Sequence, residues 1–415
     1  MRMKRFIGQF FSERHFCGLD IGSEKIKACL SRVQDKDNLE LLAVYESGTR
    51  GFKETSVNDI SEFSSAIGLT LDALVKKTQV RFHDVYLGIG GDLVETRKSR
   101  AVIPLVERGN KLITVHDVNE ARHQARLLGA RLDEEVLHDF VQQFKVDDVN
   151  IALNPVGLYG RKLEVEVVLV VSNVTRLRNI GKAVKQAGFD VNNVFFNGYV
   201  LAESLLDRRQ RTEGVILVDL GARTTQVLIF KEGLLKHYVR DSFGGESMTS
   251  RIAETLGIPL ELAEDIKKSY ARVAENKLAT NNEEILIKKE QAFVPVKRAL
   301  LNQAIESEVD RLISFISLAA EASGFKDQLK SGVVMVGGGA LLPGLLERVE
   351  VSLAMPVILG RSISGLNNAA TFCAATSVAE SGYKGTMRYV FDTRKPKDWI
   401  EHFRQKAEEL CNEYF

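Results

Sequence analysis

Two stretches of the chain share one pattern of apolar and polar positions. Each runs from an apolar strand through Asp, one residue and Gly into a second, alternating strand, as in "FCGLDIGSEKIKACLSRV" (16–33) and "ILVDLGARTTQVLIF" (216–230). Asp20 and Asp219 hold the same place in the two stretches, about half a chain apart. The pattern predicts two strand–turn–strand hairpins, and their repetition favours a duplicated α/β fold.

A third element carries consecutive glycines. "GVVMVGGGALLPGLLERVEVSL" (332–353) predicts an apolar strand that enters Gly337, Gly338 and Gly339 and continues into an amphipathic helix. Glycine lets a ligand approach the backbone, and a helix N-terminus offers free N–H groups. Each of the three elements alone is common in proteins without a ligand, whereas the ordered set favours a nucleotide between the two halves.

The remaining periodicity predicts helices and strands around these elements. Apolar residues spaced by three and four predict helices at 58–78, about 114–130 and 172–188. The stretches 85–105 and 160–172 are rich in strand patterns, and 250–330 is mostly helical with a polar loop at 274–285. After about Ser381 the pattern lapses, which predicts a linker before a final helix.

Composition narrows the classes of function. The formal net charge of +1 gives no indication of a nucleic-acid partner. Four scattered cysteines show neither a disulfide framework nor zinc-ligand spacing, which fits a reducing cytosol. No apolar run is long enough for a spanning helix, although either end of the chain could lie on a membrane.

The chemistry of the hairpins suits a phosphate group. Backbone N–H groups and hydroxyls of a Gly-led turn donate to phosphate oxygens, while the Asp at the end of the strand can hold the waters of a metal ion. Arg223 stands where such a turn would favour another glycine.

The ordered set "GLDIGSEKIK", "LVDLGARTTQVLIF" and "MVGGGALLPGL" resembles the actin-like ATPase superfamily. The segments "VYLGIGG", "HDVNEARHQAR" and "VLHDFVQQFKVDDVNIALNPVGLYGRKLEVEVVLV" narrow the resemblance to the FtsA family, whose members tether FtsZ filaments to the bacterial membrane. The resemblance covers about 16–380, and 136–170 resembles the distinctive subdomain 1C of that family. It implies duplicated actin-like (RNase H-like) domains with a nucleotide cleft between them.

The resemblance also implies a division of the chain. The expected parts are 1–15 as a basic amphipathic extension, 16–83 and 172–213 as subdomain 1A, 84–171 as 1C, 214–245 and 331–380 as 2A, 246–330 as 2B, 381–396 as a linker and 397–415 as a membrane-targeting amphipathic helix.

The resemblance implies ATP and Mg²⁺ as ligands. The expected phosphate contacts are Asp20, Gly22, Ser23 and Lys25 in the first hairpin and Asp219, Gly221, Arg223, Thr224 and Thr225 in the second, with Asp20 and Asp219 near Mg²⁺ through water. Gly244, Gly245, Glu264 and Lys267 are expected toward the ribose and base, Gly337, Gly338 and Gly339 along the adenosine, and Glu203 as the candidate to position an attacking water.

The second hairpin departs from the usual Asp-Ile-Gly-Gly-Gly-Thr-Thr-Asp of the family. Ala222 and Arg223 replace glycines and Gln226 replaces the acid. If the turn required positive φ, each replaced glycine would cost roughly 1–2 kcal/mol. Arg223 could pair with the γ-phosphate or block the phosphate site, so binding with weak or absent hydrolysis, ordinary ATPase activity and no binding all stay open.

Both ends carry amphipathic patterns. The expected membrane face of the C-terminal helix comprises Trp399, Ile400, Phe403, Leu410, Tyr414 and Phe415. Basic and acidic residues balance from Arg394 onward, so apolar burial must provide its membrane affinity. At the other end, "MRMKRFIGQFF" is a second, basic candidate for membrane contact.

The resemblance therefore implies an actin-like adaptor that polymerises at the cytoplasmic face of the membrane, at the division site. The expected partners are the FtsZ C-terminal peptide, on a surface within about 250–330, further copies of the chain, membrane lipids and later division proteins, with no nucleic acid. Two alternatives are a PilM-like adaptor of type IV pilus assembly and a sugar or acetate kinase of the same fold.

Overall fold

The computed structural model describes residues 15–34, 39–105, 110–273, 284–289, 292–361 and 369–391. The strands are β1 (His15–Ile21), β2 (Lys25–Val33), β3 (Leu39–Gly48), β4 (Phe52–Lys53), β5 (Ser56–Val57), β6 (Asp84–Ile89), β7 (Glu95–Pro104), β8 (Lys111–Leu112), β9 (Glu134–Val146), β10 (Asn150–Ala152), β11 (Tyr159–Gly160), β12 (Lys162–Asn173), β13 (Asp190–Phe196), β14 (Val215–Leu220), β15 (Thr225–Lys231), β16 (Leu234–Asp241), β17 (Glu284–Lys289), β18 (Ala292–Lys297), β19 (Val333–Val336) and β20 (Val357–Leu359).

The α-helices of the described residues are α1 (Ile60–Thr78), α2 (Val115–Gly129), α3 (Val174–Gln186), α4 (Asn197–Leu205), α5 (Arg208–Glu213), α6 (Gly245–Leu256), α7 (Leu260–Tyr270), α8 (Arg298–Ala322), α9 (Leu345–Leu353) and α10 (Ala369–Phe391). Short 3₁₀ turns occupy Gly91–Leu93, Lys326–Gln328 and Gly338–Leu341. Within these described helices, none is long and apolar enough to cross a bilayer.

The chain forms two compact units. The first comprises the described residues of Met1–Ile89, Arg178–Val200 and Ala374–Phe415, and the second those of Gly90–Leu177 and Leu201–Cys373. The sheet of the first has the strand order β13-β6-β1-β2-β3, and the main sheet of the second has the order β16-β15-β14-β19-β20. Read from opposite edges, both place three antiparallel strands beside two parallel ones, which confirms the predicted duplication.

In the first unit, helix α10 packs closely on the first hairpin. A methyl group added at Gly18 of β1 would lie 2.0 Å from the carbonyl oxygen of Ala375, so only glycine permits this approach. The buried Cys29 thiol of β2 donates to the same carbonyl at 3.2 Å. The helix continues to Phe391, so the predicted linker at 381–396 begins, in the structure, inside a helix.

In the second unit, one core joins the sheet to α6, α7, α8 and α9. Helix α8 contributes one apolar stripe at helical spacing, which is fully buried: Leu301, Ile305, Val309, Leu312 and Ile316. The stripe packs against buried side chains of β14 and β15, including Val218 and Val227. Burial of such a stripe is the main stabilisation of a long helix.

The same unit contains a smaller α/β module, called here the insert, at residues 91–171. Its sheet has the order β10-β9-β12-β7, and helix α2 packs on one face. Alternating apolar residues of β12, from Leu163 to Val171, line a core of their own. The Arg97 guanidinium pairs with both oxygens of Glu134, each at 2.7 Å, which fastens β7 to the start of β9.

Two local expectations differ from the structure. The strands β17 and β18 form a hairpin within the region expected to be mostly helical, because Ile285 packs into the core as a strand residue. Of the predicted loop at 274–285, residues 274–283 lie outside the described part. The glycine run leads first into the 3₁₀ turn, and α9 begins only at Leu345, since Pro343 and Gly344 intervene.

Candidate functional site

The turn of the first hairpin is closed by its glycine. The Gly22 N–H donates to the Lys25 carbonyl at 3.0 Å, and a methyl group at Gly22 would lie 2.7 Å from that oxygen. The Thr49 hydroxyl, at the end of β3, donates to the Gly22 carbonyl at 2.8 Å. Ser23 lies half-buried at the tip of the turn, while the Lys25 ammonium pairs with Glu46. Hydrogen bonds at both the N–H and the carbonyl of Gly22 therefore fix the turn.

Asp20, the penultimate residue of β1, is a buried acid. Burial raises the pKa of its carboxyl, while the charge of Lys27 and a hydrogen bond from Asn197 act to lower it. The Asn197 Nδ2 donates to Asp20 Oδ1 at 2.7 Å from the first position of α4. A methyl group on Gly88 would come within 2.2 Å of the Asn197 Oδ1, so the neighbouring parallel strand β6 leaves just enough space for this amide.

The turn of the second hairpin repeats the first. The Gly221 N–H donates to the Thr224 carbonyl at 2.9 Å. Neither Ala222 nor Arg223 has positive φ, so the glycine replacements carry no left-handed strain and the conditional penalty does not apply. The Arg223 guanidinium donates to the carboxylate of Glu246, and both side chains are more than two-fifths exposed.

This second turn also packs against the start of α6. The Gly245 N–H donates to the Gly221 carbonyl at 3.0 Å, and the Glu246 N–H donates to the Ala222 carbonyl at 2.8 Å. A methyl group at Gly244 would lie 2.5 Å from the Gly221 carbonyl oxygen. The turn thus satisfies N–H groups that a helix N-terminus otherwise leaves without partners.

Side chains of β15 and β16 surround the carboxylate of Asp219. Gln226, which is 4% exposed, donates from Nε2 to Asp219 Oδ2 at 3.1 Å and accepts from the Tyr238 hydroxyl at 3.0 Å. Burial and the Asp219 charge raise the pKa of Tyr238, so its phenol stays a donor. The fully buried Thr225 hydroxyl donates to the Phe243 carbonyl at 2.8 Å, which commits its hydrogen within the protein.

Glu264 and Lys267 meet beside the start of α6. The Lys267 ammonium donates to the Gly245 carbonyl and to the Thr249 hydroxyl, both at 2.8 Å, and lies 2.6 Å from Glu264. Burial opposes ionisation of Glu264, but hydrogen bonds from Lys267 and Thr249 outweigh it and lower the pKa of Glu264 to about 2. These charges order the α6–α7 corner on which the hairpin turn rests.

The glycine run lies against the end of β14. A methyl group on Gly337, whose φ is +90°, would lie 2.4 Å from the Leu220 carbonyl oxygen and 2.8 Å from Asp219 Oδ1. A methyl group on Gly339 would lie 2.5 Å from the Leu220 side chain. At Gly338 it would meet no described atom within 4 Å, so this backbone faces open space.

Most of the expected residues of the second unit therefore lie around the turn of the second hairpin. The hairpin turn, the start of α6, the α6–α7 corner and the glycine run all reach Asp219 or its turn through the contacts above. Glu203 is different, because it pairs with Arg211 of α5. Its expected role toward a water stays a prediction. The expected membrane residues Trp399, Ile400, Phe403, Leu410, Tyr414 and Phe415 lie outside the described residues.

Each unit offers groups of the kind that Mg-ATP requires. The Asn197 Oδ1 is buried and has no hydrogen-bond partner within the described part of the chain. It belongs to the same amide that bonds Asp20, and paired oxygen acceptors suit the donating waters of Mg²⁺. Near Asp219, Gly337 and Gly339 pack against Leu220, and the open face at Gly338 gives a ligand access to the backbone.

Sequence reasoning missed three residues that organise these sites. Asn197 and Thr49 brace the first hairpin, and Tyr238 lies on Gln226 in the second. Asn at the strand-to-helix junction "FFNGY" is a signal that could have been used. Thr49 contacts Gly22 from the end of β3, and Tyr238 contacts Gln226 across the β15–β16 hairpin, and neither side-chain contact follows from the residue types alone.

Solved structures share this arrangement. The PilM-PilN type IV pilus biogenesis complex matches with a TM-score of 0.64 at 16% identity, over 89% of this chain and 98% of that chain. MreB 5 of Spiroplasma citri bound to AMPPNP matches with a TM-score of 0.52 at 11% identity, over 91% and 98%. The duplicated sheets, with a Gly-led hairpin in each, define an actin-like protein.

Sequence comparison is more specific. The family model "Cell division protein FtsA" matches residues 216–379, and "SHS2 domain inserted in FTSA" matches residues 91–171, which is the insert. Cell division protein FtsA of Pseudomonas aeruginosa is 29% identical over 361 residues, covering 86% of each chain. The chain belongs to the FtsA family of cell division proteins.

Proposed function

We propose that the chain is an ATP-binding division protein that polymerises at the cytoplasmic face of the membrane, tethers FtsZ filaments there and helps to recruit later division proteins. The observation that carries the proposal is the family-specific insert joined to an actin-like fold with two matching hairpins. Relatives named as FtsA cell division proteins support the division role.

The nucleotide is proposed to be Mg-ATP. The solved MreB 5 structures carry AMPPNP and ADP on the same fold, and the glycines and carboxylates described above suit the same class of ligand. Bound Mg-ATP would supply phosphate charge and metal-held waters for Asp20, Asp219 and the hairpin N–H groups to orient. Binding then favours a polymer-competent conformation through its differential affinity.

Hydrolysis is proposed to be slow. The glycine replacements at 222 and 223 leave the turn backbone unstrained, so they give no reason to reject the nucleotide. The guanidinium of Arg223 lies on Glu246 and adds a bulky cation at the turn in place of a glycine. We expect it to pair with the phosphate and to stabilise the bound state more than the transition state, which lowers turnover.

Membrane attachment is assigned to the amphipathic segment 397–415. Its balanced charges leave apolar burial to provide affinity, so one helix would be a weak, reversible anchor. Polymerisation joins many such anchors and raises the avidity. FtsZ binding is assigned to a surface within about 250–330, where α7, α8 and the β17–β18 hairpin lie.

Co-sedimentation with anionic liposomes tests the proposal. The full chain is compared with a chain that ends at Lys395, with and without Mg-ATP, and phosphate release is measured in the same tubes. We expect ATP-dependent pelleting that the truncation abolishes, with little phosphate released. Equal pelleting of both chains would move the anchor to 1–15 or remove it, and rapid phosphate release would contradict slow hydrolysis.

A PilM-like adaptor role is the second candidate, favoured by the TM-score of 0.64 to the PilM-PilN complex. The two roles differ in partner, because one binds the FtsZ C-terminal peptide and the other the tail of a membrane protein. Fluorescence anisotropy with a labelled FtsZ C-terminal peptide separates them. Binding that is lost when the β17–β18 hairpin is deleted supports the division role, and the absence of binding favours the alternative.

A further inference from the structure

One buried amide joins three parts of the second unit. The Gln226 Nε2 donates to Asp219 Oδ2 at 3.1 Å, and its Oε1 accepts from the Gly91 N–H at 2.9 Å and from the Tyr238 hydroxyl at 3.0 Å. Gly91 is the first residue of the insert, and Asp219 is the expected magnesium carboxylate. The same side chain therefore contacts the insert and the proposed nucleotide site.

The orientation of this amide is fixed by its partners. A flipped amide would face the Gly91 N–H and the Tyr238 hydroxyl with its own N–H groups and would turn its oxygen toward the Asp219 carboxylate. The contacts with the Gly91 N–H and with the Asp219 carboxylate would then be unfavourable, whereas the Tyr238 hydroxyl can donate or accept. A carboxylate at this position would likewise face Asp219 with a second negative charge. An amide thus offers an oxygen to the Gly91 N–H and the Tyr238 hydroxyl and an N–H to the Asp219 carboxylate.

The first turn of the insert is seated on the hairpin by further contacts. Gly91 has a φ of +57°, and a methyl group there would lie 3.0 Å from the Thr224 hydroxyl oxygen. The next residue, Asp92, pairs with Arg240 of β16. Movement of the hairpin turn would therefore be felt directly at Gly91, and movement of the insert would be felt at the turn.

We propose that Gln226 is a positioning residue that links the Asp219 carboxylate to the seating of the insert, so that Mg-ATP at Asp219 and the docked insert stabilise one another. The inference rests on the proposed ATP binding. Linkage is reciprocal, so a ligand that orders Asp219 tightens the hydrogen bond at Gly91, and an insert held away from the hairpin weakens ligand binding.

Hydrogen exchange of the full chain, read by mass spectrometry, tests the link. The readout is the peptide spanning 90–96, with and without Mg-ATP, and isothermal calorimetry reports Mg-ATP affinity separately. In the native chain we expect Mg-ATP to slow exchange of this peptide. In Gln226→Leu the peptide should exchange faster without ligand, its response to Mg-ATP should be lost, and the affinity should fall about tenfold, as for other residues that orient a metal carboxylate.

Two further variants separate a specific role of Gln226 from general loosening of the insert. Gln226→Glu keeps an acceptor for the Gly91 N–H but replaces the donation to Asp219 with repulsion between two carboxylates, so the Mg-ATP response should be lost. Ser99→Ala removes a buried 2.7 Å hydrogen bond to Ala125 inside the insert and should keep that response. It therefore controls for general loosening of the insert.

The outcomes separate the two proposals. An unchanged Mg-ATP response in Gln226→Leu or in Gln226→Glu would overturn the link while ATP binding stands. If calorimetry shows no Mg-ATP binding to the native chain, the proposed function fails and the ligand half of the link fails with it. Loss of the response in Ser99→Ala as well would also overturn a specific role of Gln226.

Discussion

The two hairpins have the same turn hydrogen bond, but different residues surround their aspartates, Asp20 and Asp219. In both, a Gly N–H closes the turn onto the carbonyl three residues later, at 3.0 Å and 2.9 Å. The residue paired across the strands with Asp20 is Lys27, and the one paired with Asp219 is Gln226. The duplicated backbone thus tolerates a cation in one copy and a neutral amide in the other.

This difference decides whether each aspartate is linked to the insert. Asp20 is braced inside its own unit by Asn197, which leaves it a buried and locally held carboxyl. Asp219 is held by a side chain that also reaches the insert. We infer that the first hairpin mainly binds the ligand, whereas ligand binding at the second hairpin also affects the insert through Gln226.

The largest effect is expected at Gly337. Gly337→Ala would place a methyl group 2.4 Å from the Leu220 carbonyl oxygen at a φ of +90°. Strain and overpacking together should lower the free energy of unfolding by about 3 kcal/mol. Urea unfolding measures this loss. Gly338→Ala is the matched control, since its methyl group meets open space, and an equal loss there would contradict the close packing.

Removal of each acid sharpens the comparison. Asp219→Ala should lower Mg-ATP affinity at least tenfold and assembly with it, and should also loosen the insert, because Gln226 loses its acceptor. Asp20→Ala should lower Mg-ATP affinity without changing the exchange of the 90–96 peptide in the ligand-free chain. Calorimetry, filament sedimentation and hydrogen exchange provide the three readings. Unchanged assembly in Asp219→Ala would separate nucleotide binding from polymerisation.

The buried state of Asp20 predicts a pH dependence. Because its pKa is raised in the folded chain, the folded state binds more protons than the unfolded state above the ordinary pKa of 3.8. Its contribution to stability is therefore greatest at low pH and is lost as pH rises through the folded pKa. Asp20→Asn should be more stable than the native chain at pH 7, with the gain shrinking toward pH 4. A gain independent of pH would exclude ionisation as its cause.

The smallest stability effect is expected at Arg223. Its pair with Glu246 is exposed, so Arg223→Gly should change the free energy of unfolding by less than about 1 kcal/mol. The same change should raise phosphate release if Arg223 slows turnover. Thermal unfolding and phosphate assays of one preparation measure both. Lys231→Gly removes a cation at the far end of β15 and serves as the charge control for phosphate release only, because Lys231 also donates to the Glu213 and Gln328 carbonyls.

Much of the fold followed from local pattern. The hairpins, the strand before Gly337 and helices such as α1 and α2 were predictable because their apolar spacing and turn residues are local signals. Asp59 and Thr114 cap α1 and α2 as their residue types favour. Comparison of the two hairpins from sequence also aligned Asp20 with Asp219.

The remainder depended on contacts between distant residues. The β17–β18 hairpin was missed because its short strands lie between helices in the sequence. Whether such a short segment forms a strand depends on tertiary packing. Gln226 was noticed only as a departure from the family pattern, since Gly91 lies 135 residues away from it in sequence. The backbone conformation at Ala222 and Arg223 could be judged only once the turn itself was known.

The seating of the second turn on α6 has a mechanical consequence. The Gly221 and Ala222 carbonyls accept hydrogen bonds from the first N–H groups of that helix, so the turn and the start of the helix are held together. The Glu264–Lys267 pair clamps its base against α7. We therefore expect a displacement of the turn to reach the start of α6 and, through that ion pair, α7.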